Sequence, residues 1–167
     1  MIMMKNKNIL LGVTGGIAAY KAADLVSRLR KEGANVKVVM TEAATKFVSP
    51  LVFQTMSNNI VHVDMFHTLS NMDVEHISLA KWADLIVIAP ATANTIAKLT
   101  HGIADNMLTT VLQAARSPIA IAPAMNTEMY HQEVCLKNIE ILKRRGVEFY
   151  EPGSGLLACG DVGEGKM

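Results

Sequence analysis

Side chains able to orient a ligand or move a proton cluster at a few points of this chain, and most of those points follow short apolar runs. Ala89-Pro90-Ala91-Thr92-Ala93-Asn94-Thr95 comes directly after Leu85-Ile86-Val87-Ile88. An apolar run too short for a typical helix, opening into small polar residues and then a helical pattern, reads as strand, turn and helix. Asn94 is the side chain of that turn best suited to a ligand, because an amide donates and accepts. Asn is also a favoured helix cap. Thr14-Gly15-Gly16-Ile17 follows a second run. Its glycines admit a close anion, and the helix behind it offers free N–H groups and a positive dipole end. The turn lacks the spacing of a dinucleotide fingerprint and the lysine–serine pair of a P-loop. A phosphate cradle and an empty tight turn both fit it. Thr41 and Pro123-Ala124-Met125-Asn126 close two further runs, and Asn126 faces the same choice between ligand and cap. His76 is of the residue type that exchanges protons near neutral pH, although a histidine satisfying a helix end is the plainer reading. Cys159 sits in Gly155-Leu156-Leu157-Ala158-Cys159-Gly160-Asp161-Val162-Gly163-Glu164-Gly165. So many glycines suit a flexible flap better than a core element.

The elements that must position these residues alternate regularly. Residues 8–13 read as a buried first strand and 17–31 as a helix closed by Gly33 at its C′ position. Residues 36–40 form a second strand, with Thr41 a candidate N-cap for a helix over 43–56 that Pro50 interrupts. A short strand at 60–63 precedes a polar surface loop over 64–74. Helix 75–82 leads into strand 85–88, followed by helices at 94–100 and 105–116. Strand 118–122, one long helix over 127–145 and a final strand at 147–150 complete the pattern. Strands alternating with helices of this length imply βαβ units and a parallel sheet covered on both faces. In such a sheet the strand ends share one edge, where open α/β folds bind ligands. Their convergence says more than any single motif.

The chain has 167 residues, 50% of them hydrophobic, with a net charge of +1. That composition fits one well-packed domain and gives no electrostatic basis for binding nucleic acid or anionic membrane. No apolar run approaches the ~20 residues that span a bilayer. Cys135 and Cys159 lie far apart without metal-ligand spacing, so no metal is expected and a reducing cytoplasm is the default. Cys135, on a helix, and Trp82 read as core.

Five ordered motifs carry a resemblance over nearly the whole chain. They are Gly15-Gly16-Ile17-Ala18-Ala19-Tyr20-Lys21, His76-Ile77-Ser78-Leu79-Ala80, the 90–95 run, Pro123-Ala124-Met125-Asn126-Thr127-Glu128-Met129 and Leu157-Ala158-Cys159-Gly160. Together they resemble the flavin-dependent cysteine decarboxylase family, and within it the decarboxylases acting on 4′-phospho-N-pantothenoylcysteine. The resemblance implies a flavodoxin-like or Rossmann-like doubly wound sheet in three layers. It implies noncovalent FMN held by Gly15, Gly16, Ile17, Thr41, Ala91, Thr92 and Thr95. His76, Asn94 and Cys159 would be catalytic, with Asn94, Ala124, Met125 and Asn126 on the substrate. The implied reaction oxidises the cysteinyl thiol to a thioaldehyde, loses carbon dioxide and reduces the resulting ene-thiol. Asn94 would hold the carboxylate and Cys159 would donate the last proton. Homo-oligomers built from trimers, with sites between subunits, are expected.

Two residues depart from the family pattern: Tyr130 where tryptophan is common, and Lys166 where arginine is common. Residues 153–167 are expected to cover the substrate. Because the chain stops in that segment, excision from a longer protein with a synthetase half is also expected. A peptidyl-cysteine decarboxylase, a noncatalytic flavin-binding regulator and a flavin prenyltransferase are the competing readings.

Overall fold

Six apolar stretches, β1 (Asn8–Val13), β2 (Asn35–Met40), β3 (Val61–His62), β4 (Leu85–Ala91), β5 (Ile119–Pro123) and β6 (Glu148–Phe149), pair in parallel in the order β3-β2-β1-β4-β5-β6. They belong to a computed structural model that describes residues 4–66, 74–156 and 162–167. The winding reverses between β1 and β4. Setting aside the two-residue edge strand β3, the order 2-1-4-5-6 is the flavodoxin order under other numbers.

Period-two alternation divides the core into two layers. Ile9, Leu11 and Val13 of β1 and Val36, Val38 and Met40 of β2 point to one face. There Ala19, Ala22 and Val26 of α1 (Ala19–Lys31) and Phe53 of α2 (Pro50–Ser57) cover them. Leu10, Ile86, Ile88 and Ile121 point to the other face. On that side lie α3 (Glu75–Trp82), α4 (Ala93–His101), α5 (Met107–Ala114) and α7 (Glu133–Arg144), contributing Ile96, Leu108 and Leu142 among others. Each such aliphatic side chain contributes about 1.5–3 kcal/mol on full burial. The expected doubly wound α/β/α arrangement is therefore present.

Several local expectations are corrected. The helix expected over 43–56 is a 3-10 turn at Ala44–Lys46 followed by α2, because Ser49 caps α2 and Pro50 opens it. The long helix expected over 127–145 is two helices, α6 (Thr127–His131) and α7, with Gln132 extended between them at φ −58° and ψ 133°. Tyr130, buried on α6, sets this break: its hydroxyl donates to Glu151 Oε2 at 2.8 Å, while Lys143 Nζ on α7 reaches Oε1 at 2.6 Å. The strand at 147–150 contracts to Glu148–Phe149 and is not the last. Within the segment expected to act as a flap, β7 (Gly153–Leu156) and β8 (Val162–Lys166) pair as an antiparallel ribbon.

The ion pair of Lys143 and the hydrogen bond of Tyr130 hold the Glu151 carboxyl below its usual range. Burial and the Glu151 contact push the Tyr130 phenol up. A depressed carboxylate pKa adds stability that is complete above the unfolded value, about 4.3, and is lost as pH falls through the folded one. Glu151 is mostly exposed, so the effect stays under about 1 kcal/mol. The thermal midpoint is expected to fall more steeply on acidification in the wild type than in Glu151→Gln, as scanning calorimetry at pH 3–6 would read. Equal slopes would remove Glu151 from the acid response.

Candidate active site

The carboxyl ends of β1, β2, β4 and β5 meet around one cleft of about 480 Å³, within the size range of small-ligand sites. Thr14 joins two of these ends. Its fully buried hydroxyl donates to Pro90 O at 2.7 Å and accepts from Thr92 N at 3.0 Å, spanning the point where the winding reverses. Gly15 lies so close to the β2–α2 connection that a Cβ there would stand 2.4 Å from Ala43 Cβ. Ala124 N donates to Ala91 O at 3.0 Å, tying the β5 end to the β4 end.

The cleft brings together Gly15, Thr41, Thr92, Asn94, Thr95, Ala124 and Met125 from the expected set. Thr41 is not the N-cap of the 3-10 turn, a place held by Ala43, but its hydroxyl accepts from Ala44 N at 3.2 Å just ahead of it. Asn94 is not the cap of α4. Thr92 takes that place, its hydroxyl accepting from Thr95 N at 3.3 Å, and the Asn94 amide stays exposed on the cleft wall. Asn126 does cap its helix, Oδ1 accepting from Glu128 N at 2.8 Å, next to Met125. Gly16, Ile17, Ala91, Asn126 and His76 lie outside the lining. Ile17 turns to solvent, 57% exposed, and Ala91 is buried. His76 stands half-buried in the first turn of α3. Cys159 lies outside the described residues.

Seven lining residues are absent from the expected set: Glu42, Ala43, Ala93, Lys98, Asp105, Asn106 and Met129. Lys98 follows Asn94 by one helical turn, the only local signal that it shares the cleft. Cys135 is buried as expected, burial pushing its thiol up, with Sγ 3.7 Å from Met125 Sδ.

A phosphorylated planar cofactor fits this donor set. α1 begins without a side-chain cap and without an acidic residue in its first turn; Ala19 N and Lys21 N already donate to Gly16 O and Ala18 O, so its positive dipole end is what it offers an anion beside Gly15. Ala124, Met125 and Met129 supply apolar surface for a ring, and Thr92, Asn94 and Thr95 supply polar contacts. The β7–β8 ribbon docks next to this apolar wall: Met125 N donates to Gly165 O at 3.1 Å and Thr127 Oγ1 to Glu164 O at 2.7 Å. Among the described residues no group of His, Cys, Asp and Glu could hold a metal ion, and no helix is long and apolar enough to cross a membrane.

Known proteins share this architecture and sequence. The chain is 54% identical over 165 residues to the coenzyme A biosynthesis bifunctional protein CoaBC of Bacillus subtilis (strain 168), covering 99% of this chain and 41% of that protein. It thus spans less than half the length of that relative. A PPC decarboxylase mutant complexed with pantothenoylaminoethenethiol superposes with a TM-score of 0.84 at 31% identity, over 98% of this chain and 91% of the other. The FMN-dependent cysteine decarboxylase SpaF gives a TM-score of 0.86 at 31% identity, covering 98% and 92%. The Flavoprotein family profile matches residues 2–167, nearly the whole length, and the chain belongs to the Flavoprotein family.

Proposed function

We propose that this chain binds FMN in the cleft and decarboxylates 4′-phospho-N-pantothenoylcysteine to 4′-phosphopantetheine in coenzyme A biosynthesis. The observation that carries the reading is the Gly15 turn leading to the uncapped start of α1, at a cleft lined also by amide, hydroxyl, thioether and three charged side chains. Likeness to CoaBC and to the PPC decarboxylase supports the substrate. When bound, FMN supplies the two-electron acceptor and donor that the thiol chemistry needs.

The chain's own residues do the rest. The Gly15-Gly16 turn and the first turn of α1 hold the phosphate, while Thr41, Thr92 and Thr95 line the cofactor's path. Asn94 presents its amide to the substrate carboxylate, which it orients without a positive charge that would over-stabilise the ground state, and Met125 and Asn126 lie against the substrate. His76 takes the thiol proton at the start, and Cys159 returns a proton to carbon at the end. Because His76 stands outside its own chain's cleft lining, a homo-oligomer built from trimers, with His76 serving a neighbouring subunit, is part of the reading. Residues 153–167 would close over the pantetheine arm within this single domain, and the longer CoaBC relatives support a synthetase half beyond it. A cytoplasmic location follows from that biosynthetic role.

The test is direct. Purified protein given FMN is expected to turn yellow and to release carbon dioxide from the pantothenoyl substrate, while His76→Asn keeps the colour and loses the gas. A general base is worth roughly 10²–10⁴-fold. Protein that stays colourless, or releases nothing, would sink the proposal. Faster turnover of a Cys-terminated peptide would favour the peptidyl-cysteine decarboxylase reading instead.

A further inference from the structure

We infer that Lys98 and Asp105 form a charge pair that sets the redox balance of the bound flavin. The inference rests on the placing of FMN in this cleft. Among the described residues lining the cleft, Lys98 is the only cation, and Glu42 and Asp105 are the only anions. Lys98 Nζ lies 2.9 Å and 2.8 Å from the two carboxylate oxygens of Asp105. The lysine side chain is 21% exposed and the aspartate 52%.

The pair is held by its surroundings. Ile103 N donates to Lys98 O at 2.9 Å, closing the end of α4. Asn106, next to Asp105, caps α5 by accepting from Thr109 N at 2.9 Å, and Thr109 Oγ1 takes the Asn106 N–H in return. These contacts fix the backbone on both sides of the pair. Two of the three ammonium donors meet Asp105, and one remains for the cleft.

Glu42 adjoins Thr41 and Ala43, at the glycine-turn end assigned to the phosphate, whereas Lys98 lies five residues, about 7.5 Å, along α4 from Ala93. The ring of the cofactor is left to the Lys98 part of the cleft. Two-electron reduction places a negative charge on the pyrimidine ring of a flavin. A fixed cation beside that ring favours the reduced form, and a carboxylate paired with the cation tempers the effect. Lys98 thus favours uptake of electrons from the substrate thiol, and Asp105 preserves the ability to give them back.

The two residues are predicted to act with opposite sign, which a purely structural pair would not do. The midpoint potential of FMN on the purified holoprotein would be measured by dye equilibration. Lys98→Met is expected to lower the affinity ratio of reduced over oxidised FMN roughly tenfold, a negative shift of about 30 mV for a two-electron couple. Asp105→Asn is expected to move the potential positively, and Lys98→Arg to leave it near the wild-type value. Shifts of the same sign in Lys98→Met and Asp105→Asn, or no shift in a protein that still binds FMN, overturn the inference alone. A wild-type chain that takes up no FMN overturns the cofactor reading and this inference with it.

Discussion

Gly165→Val is expected to lower turnover of the pantothenoyl substrate by about 10²-fold while leaving FMN binding within roughly twofold, because displacing a cover by an ångström costs on that order. Gly165 has φ +133°, and a Cβ there would stand 2.1 Å from Met125 O. No branched side chain fits, so β8 must lift from the turn between β5 and α6. The hydrogen bond from Met125 N to Gly165 O breaks with it, and the neighbouring contacts loosen: Thr127 Oγ1 to Glu164 O, and His131 Nε2 with Glu164 Oε2 at 3.4 Å. The six-stranded sheet is not part of this contact, so circular dichroism should stay native. Flavin absorbance titrations and carbon dioxide release read the two halves separately. An unchanged kcat/KM would show that the docked ribbon plays no part in turnover.

Cys159→Ser should separate the two halves of the reaction. If Cys159 donates the final proton, this variant still oxidises the thiol and releases carbon dioxide once per flavin. The ene-thiol then accumulates and the flavin absorbance stays bleached. Saturated product should fall by about 10²–10⁴-fold, the worth of a positioned general acid. Cys135 provides the control. It is buried against Met125 with its thiol pushed up by desolvation, so Cys135→Ala is expected to lose stability but still to yield fully reduced product. Normal product from Cys159→Ser would remove that residue from the last step.

The strands and the edge where their ends meet are legible in the sequence because short apolar runs and the turns after them are local signals. β1 and α3 match their expected bounds to the residue. What escapes is set by distant contacts. Nothing in Tyr130-His131-Gln132-Glu133 breaks a helix by propensity; the break comes with the reach of Tyr130 to Glu151, 21 residues on. The glycines at 163 and 165 read as freedom, yet they allow close approach to Thr127 and Met125, an arrangement visible only once the ribbon is docked. Asn94 looks like a cap, but Thr92 two residues earlier has the better geometry for it. Beyond its spacing from Asn94, Lys98 carries no local mark, since a charged residue late in an amphipathic helix ordinarily faces solvent, and Asp105 stands in the connection between α4 and α5.

The buried Thr14 hydroxyl also has a consequence for the order in which the protein can form. Its two backbone partners, Pro90 and Thr92, are 76 and 78 residues away. The cleft therefore cannot exist in a nascent chain that has released only its first 70 or so residues, however well β1, α1 and β2 have folded. Closing so long a loop is slow relative to local structure formation. A ligand that recognises only the closed arrangement draws the equilibrium toward it by mass action. Cofactor supply in a growing cell would then govern how many of these chains survive to maturity, as well as how many are active.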